Sequence, residues 1–103
     1  MSNYLLAYTG GQMAETEAER NEAMAAWGAW FEKLGPAIVD AGNPFGASTA
    51  VAAAANGDGA PSGLTGYSIV SADNLGAAAE LAQDCPVLNG GGNVEVYETI
   101  EVM

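Results

Sequence analysis

The chain has 103 residues, thirteen carboxylates against two basic side chains (Arg20 and Lys33) and no histidine, for a formal charge of −11 at pH 7. That balance repels a phosphate backbone or an anionic bilayer, so neither nucleic acid nor a membrane surface is an expected partner. Without imidazole, the Ser-His-Asp and Cys-His nucleophile systems and His-containing metal sites are closed to it, and a lone Cys85 leaves no intrachain disulfide. The length suits one domain, residues 1–103, with a single core that oligomerisation would enlarge. No charged segment followed by an apolar one opens the chain, so a cytoplasmic setting is expected, with no cofactor.

Asn3 to Thr9 (NYLLAYT) reads as a strand with apolar residues on both faces, ended by Gly10-Gly11. Thr16 to Gly35 (TEAERNEAMAAWGAWFEKLG) is the dominant helix. At about 100° per residue, Ala23, Met24, Trp27, Trp30, Phe31 and Leu34 fall within roughly 120° of one another. Thr16 and Glu19 have the spacing of a capping box, and Gly35-Pro36 is a stop signal. Glu15, Glu17, Glu19 and Glu22 match the positive end of the helix dipole, or form a docking patch for a basic partner.

Ala37 to Ala41 reads as a second strand carrying Asp40 among apolar neighbours. The small-residue segment 45–62 lacks helical periodicity; an extended hairpin is expected there, Ser48 to Ala53 turning at Asn56 to Gly59, with a flexible flap as the alternative. Leu64 to Ser71 is a third strand, Tyr67 and Ile69 on one face and Gly66, Ser68 and Val70 on the other. Asp73 is placed to cap a second helix, Asn74 to Gln83. Asn93 to Met103 alternates Val94, Val96, Ile100 and Val102 with polar residues, a strand with one wet face, and Glu98 marks a bulge or twist in it.

The order β-α-β-β-α-β, with an extra hairpin between the second and third strands, predicts a ferredoxin-like α+β fold with both helices on one sheet face. The other face is left bare. Two protomers packing these faces would form a homodimer.

The segments YLLAYTGG (Tyr4 to Gly11), MAAWGAWFEKLG (Met24 to Gly35), VDAGNPFGAS (Val39 to Ser48), LTGYSIVSADNLGAAAELAQDCP (Leu64 to Pro86) and GGGNVEV (Gly90 to Val96) together resemble the YCII-related, or DGPF-domain, family over nearly the whole length. The resemblance implies a dimeric α+β barrel. The loop that would carry the name-giving motif has only Asp58-Gly59-Ala60-Pro61, so the chain resembles a branch without it. Some relatives carry a His-Asp pair proposed as catalytic; here Met24 or a neighbour stands where that histidine would lie. Family members encoded beside alternative sigma factors imply a regulatory or accessory role as another possibility.

The expected ligand site is an inter-sheet cavity for a small, partly apolar molecule, lined by Tyr8, Arg20, Met24, Trp27, Asp40 and Tyr67. Arg20, inside the apolar arc, calls for a carboxylate partner or an anionic ligand. Asp40 is the candidate acid-base group if its strand is buried, and an ordinary polar residue if it lies at an edge or bulge. Glu98 invites the same argument. The alternative classes are an acidic interaction module and a barrel that has lost its chemistry. Cys85, before a proline and far from any basic residue in sequence, reads as a structural thiol, and no metal site is expected.

Overall fold

A computed structural model describes residues 2–11, 15–51 and 63–101. Four strands, β1 (Ser2–Thr9), β2 (Ile38–Asp40), β3 (Leu64–Ala72) and β4 (Asn93–Glu98), form one antiparallel sheet in the order β2-β3-β1-β4. Two helices, α1 (Glu17–Leu34) and α2 (Leu75–Ala82), complete an α+β arrangement compatible with the ferredoxin-like fold. Among the described residues no helix is long and apolar enough to cross a membrane.

The helix α1 starts as its sequence requires. Thr16 is extended and its hydroxyl accepts the Glu19 N–H at 3.1 Å, while Glu19 reaches back to the Glu15 N–H at 2.9 Å. It stops at Gly35, whose φ of 55° lets its N–H turn back to the Phe31 carbonyl. The second helix is capped by Asn74, not the expected Asp73: Asn74 Oδ1 accepts the Ala77 N–H at 2.8 Å, because Asn74 holds the extended conformation one residue before the first helical turn.

The register places Tyr4, Leu6 and Tyr8 beside Val70, Ser68 and Gly66, and Leu6 and Tyr8 beside Val96 and Val94, all on the face under the helices. These residues meet Trp30, Leu34, Ala78, Ala82 and Cys85 in the core. The opposite face carries Leu5, Ala7, Tyr67, Ile69 and Tyr97. Ala7 is buried between larger neighbours, Leu5, Tyr67 and Ile69 are half-buried, and Tyr97 is exposed.

Three expectations need correction. The second strand is short and lies at the sheet edge, with Gly35–Ala37 forming a 3-10 turn before it; proline leaves no N–H for a ladder at that point. Ser48 to Val51 are not in a strand; the rest of the expected hairpin lies outside the described residues. The last strand ends at Glu98, and Thr99 instead ties to Asn3 through its backbone and hydroxyl.

Candidate functional site

The aromatic residues of α1 are unevenly covered. Trp30 and Leu34 are buried and Trp27 and Phe31 are half-buried, but Met24 is 73% exposed and every residue from Glu15 to Ala25 is exposed. The first half of the helix thus overhangs the sheet. Beneath it runs a cleft of about 460 Å³, walled on one side by Ala23, Met24, Trp27, Gly28 and Phe31 of α1. Facing them are Thr65 to Ser68 of β3 and the loop 41–44, with Tyr8 and Val87 completing the enclosure.

Glycines shape its walls: Gly28 leaves space on the helix side, and Gly66 lets the loop 43–44 pack closely on β3. Among the described residues, apart from its chain neighbours and the helix's own backbone, no atom lies within 4 Å of a Cβ built on Gly28, a residue in the middle of a helix that gains nothing from glycine's freedom. On the sheet side, Gly66 presents bare backbone beside Tyr8, the Asn43 carbonyl and Pro44. The loop wall depends on a third. Gly42 has φ 79° and passes so close to β3 that a Cβ would stand 1.7 Å from the Tyr67 carbonyl oxygen.

The floor is polar and internally paired. The Tyr8 hydroxyl donates to Ser68 Oγ at 2.7 Å, and Ser68 donates onward to the Ala41 carbonyl at 2.6 Å. Thr65 Oγ1 donates to the Tyr8 carbonyl at 3.3 Å. Burial raises the Tyr8 hydroxyl well above its ordinary range, because the phenolate would lose its hydration. Cys85 is buried in the same core, and burial likewise pushes its thiol up. A thiol so placed is a poor nucleophile. In the aromatic wall Tyr8 and Trp27 meet edge to face, centroids 5.1 Å apart at 67°, and Trp27 and Phe31 are tilted, 5.8 Å apart at 43°.

Of the six residues expected to line a ligand site, Tyr8, Met24, Trp27 and Tyr67 border this cleft, whereas Arg20 and Asp40 do not. Tyr67 sends its side chain to the other sheet face, where its ring stacks on Phe45 at 5.8 Å and its hydroxyl lies 3.4 Å from Asp40 Oδ2. A cavity between two sheets therefore cannot gather this set, since Tyr8 and Trp27 lie on the helix side.

Arg20 is exposed rather than set in a packed arc, as is every residue of the first turns of α1; among the described residues the ion pair found is Lys33 with Asp84. Asp40 is exposed too. It sits on the edge strand at a register shift, and its Oδ1 accepts the Gly42 N–H at 2.8 Å, so it shapes the turn that brings Gly42 against β3. Glu98 accepts from the Tyr4 hydroxyl at 3.3 Å on the opposite edge of the sheet. The two carboxylates cannot act together.

Sequence reasoning passed over Gly28, Ser68, the loop 41–44 and Val87 as members of one site. Gly28 alone left a signal, an unexplained glycine inside a helical pattern. Among the described residues no cluster of three or more metal-ligating side chains occurs. No family model, curated protein or solved structure matches the chain.

Proposed function

We propose that this protein is a small-molecule-binding module whose site is the cleft beneath α1, and that it works as a homodimer paired through the sheet face that carries Leu5, Tyr67, Ile69 and Tyr97. The observation that carries the reading is the open-sided cleft of about 460 Å³, within the size range of small-molecule sites, between the sheet wall and an aromatic helix wall in which Gly28 leaves space. Half-buried and exposed apolar side chains on the bare face support the pairing, because a second sheet would remove them from water. The resemblance to the YCII-related family agrees with a dimeric α+β barrel and is part of this proposal. Asp40 holds a turn and has no catalytic part in the reading.

Native mass spectrometry of protein purified gently from its own host, compared with the denatured mass, tests both parts. The expected result is a dimer carrying an extra small mass that is lost in Gly28→Leu, a variant whose added side chain enters the cleft. A bare monomer would overturn the pairing, and an adduct unaffected by Gly28→Leu would place the ligand elsewhere.

A further inference from the structure

The loop wall of the cleft continues from β2 along the same edge of β3 and is tied to that strand along its length. The Ser68 hydroxyl donates to the Ala41 carbonyl at 2.6 Å, Gly42 lies against the Tyr67 carbonyl, Pro44 bridges to Gly66, and the Phe45 N–H donates to the Thr65 carbonyl at 2.9 Å.

Two side chains outside the cleft act on the ends of this strap. Asp40, just before it, accepts the Gly42 N–H on Oδ1 at 2.8 Å and so fixes the turn in which Gly42 holds φ 79°. Phe45, just after it, stacks on the Tyr67 ring with centroids 5.8 Å apart and planes 21° apart. The Tyr67 hydroxyl lies 3.4 Å from Asp40 Oδ2, so carboxylate, phenol and phenyl ring form one group on the far face of the sheet. Asp40 and Phe45 are both exposed, and neither borders the cleft. Their contacts add little to a core, but they remove backbone freedom from the residues between them. A site whose wall stands in place for only a fraction of the time binds more weakly by that fraction.

We infer that Asp40 and Phe45 are positioning residues for the ligand site: from the far face of the sheet they clamp the two ends of residues 41–44, so that these stand as the wall of the cleft. This rests on the cleft being the binding site. The role asks Asp40 for an acceptor oxygen rather than a charge, and asks residue 45 for a ring.

The test sets a disruptive double variant, Asp40→Ala with Phe45→Ala, beside a conservative one, Asp40→Asn with Phe45→Tyr, which keeps the oxygen and the ring. Amide protection in β1 and β3 reports that the sheet persists in each. Hydrogen exchange of the position-45 amide measures whether the strap is seated. Binding is measured with toluene, a neutral probe small enough for about 460 Å³, followed at the Trp27 indole N–H, and as the small mass retained from the host in native mass spectrometry. Trp30, whose Nε1 donates to the Leu81 carbonyl at 3.1 Å away from the cleft, is the internal reference.

In the alanine variant the position-45 amide should exchange about tenfold faster, the combined effect of one hydrogen bond and one aromatic pair. Toluene should bind about three- to tenfold more weakly and the retained mass should fall. The conservative variant should stay within about twofold of the wild type in both, the difference that a merely structural role for the two side chains would not produce. Unchanged exchange in the alanine variant would overturn the clamp. Faster exchange with unchanged binding would overturn the positioning role and leave the cleft as the site, provided that Gly28→Leu abolishes the Trp27 shift. Equal weakening in the conservative variant would overturn the assignment to an acceptor and a ring. A wild-type Trp27 signal unmoved by toluene, in protein that also carries no extra mass, would overturn the cleft and the positioning role together.

Discussion

The two helices lie on the same sheet face and are packed in opposite ways. The short α2 presents Ala78 and Ala82, both buried, and comes close to the backbone of β1, β3 and β4. Helix α1 presents Trp27, Trp30, Phe31 and Leu34, and its nearest backbone neighbours are the 3-10 segments Gly35–Ala37 and Pro86–Gly90 rather than any strand. Alanine lets a helix settle onto a sheet, whereas indole rings hold it off. Where the rings fill the gap, at Trp30 and Leu34, there is core; one turn earlier, where Gly28 and exposed Met24 do not, there is a cleft. A difference in side-chain volume between two helices has produced the candidate site.

The comparison is most exposed to test at the two tryptophans. Trp30→Ala should cost about 3–5 kcal/mol in denaturant unfolding, since it empties a filled core position and removes the bond to Leu81. Trp27→Ala should cost clearly less, because its ring is already half-exposed. Equal losses would make Trp27 a core residue and not a wall. Next in size, Ala78→Leu should cost about 1–3 kcal/mol by forcing α2 off the sheet, and a neutral outcome in the same unfolding experiment would show slack where close packing is described.

The seam between the helices gives a pH dependence. Burial holds both Tyr8 and Cys85 protonated in the native state beyond their ordinary values of 10.0 and 9.0. Above about pH 9 the unfolded chain releases protons that the native state retains, so stability is fully present below that pH and declines as it rises. Each group contributes a slope of at most about 1.4 kcal/mol per pH unit. Melting temperature measured from pH 7 to 11 should fall from about pH 9 upward, and Tyr8→Phe should make the fall shallower.

The smallest effect is the most particular to α1. Gly28→Ala should raise stability by up to about 1 kcal/mol, as alanine replaces glycine in a helix with no neighbour to meet. The same variant should weaken retention of the small-molecule adduct, a gain and a loss at one residue that thermal melting and native mass spectrometry read separately. A loss of stability would mean that the space beside Gly28 is smaller than the geometry gives.

The extent of this fold was largely legible in the chain itself, because its signals are local. Thr16, Glu19 and Gly35 bound α1 through bonds to residues three or four positions away, and the alternation of β3 sorted Tyr67 from Ser68 before any partner strand was known. Arg20 was misread, and Asp40 left between a buried and an edge position, for the same reason that these succeeded. A helical wheel shows which residues share a stripe, but it does not show which of them another element covers, and Arg20 is left exposed. An apolar neighbourhood suggests burial for Asp40, yet only the strand order puts β2 at the edge and Asp40 in water.

The amino-acid sequence by itself determined the main elements and their order, the caps of α1, the faces of the central strands and the exclusion of histidine chemistry, since each follows from composition or from contacts within about one turn. Tertiary structure alone decided that Gly28, Gly66, Ser68 and the loop 41–44 would face a common space, because that depends on the height at which Trp27 and Trp30 hold α1 over the sheet. No local pattern encodes that height; it is set by which side chains happen to meet between two elements distant in the chain.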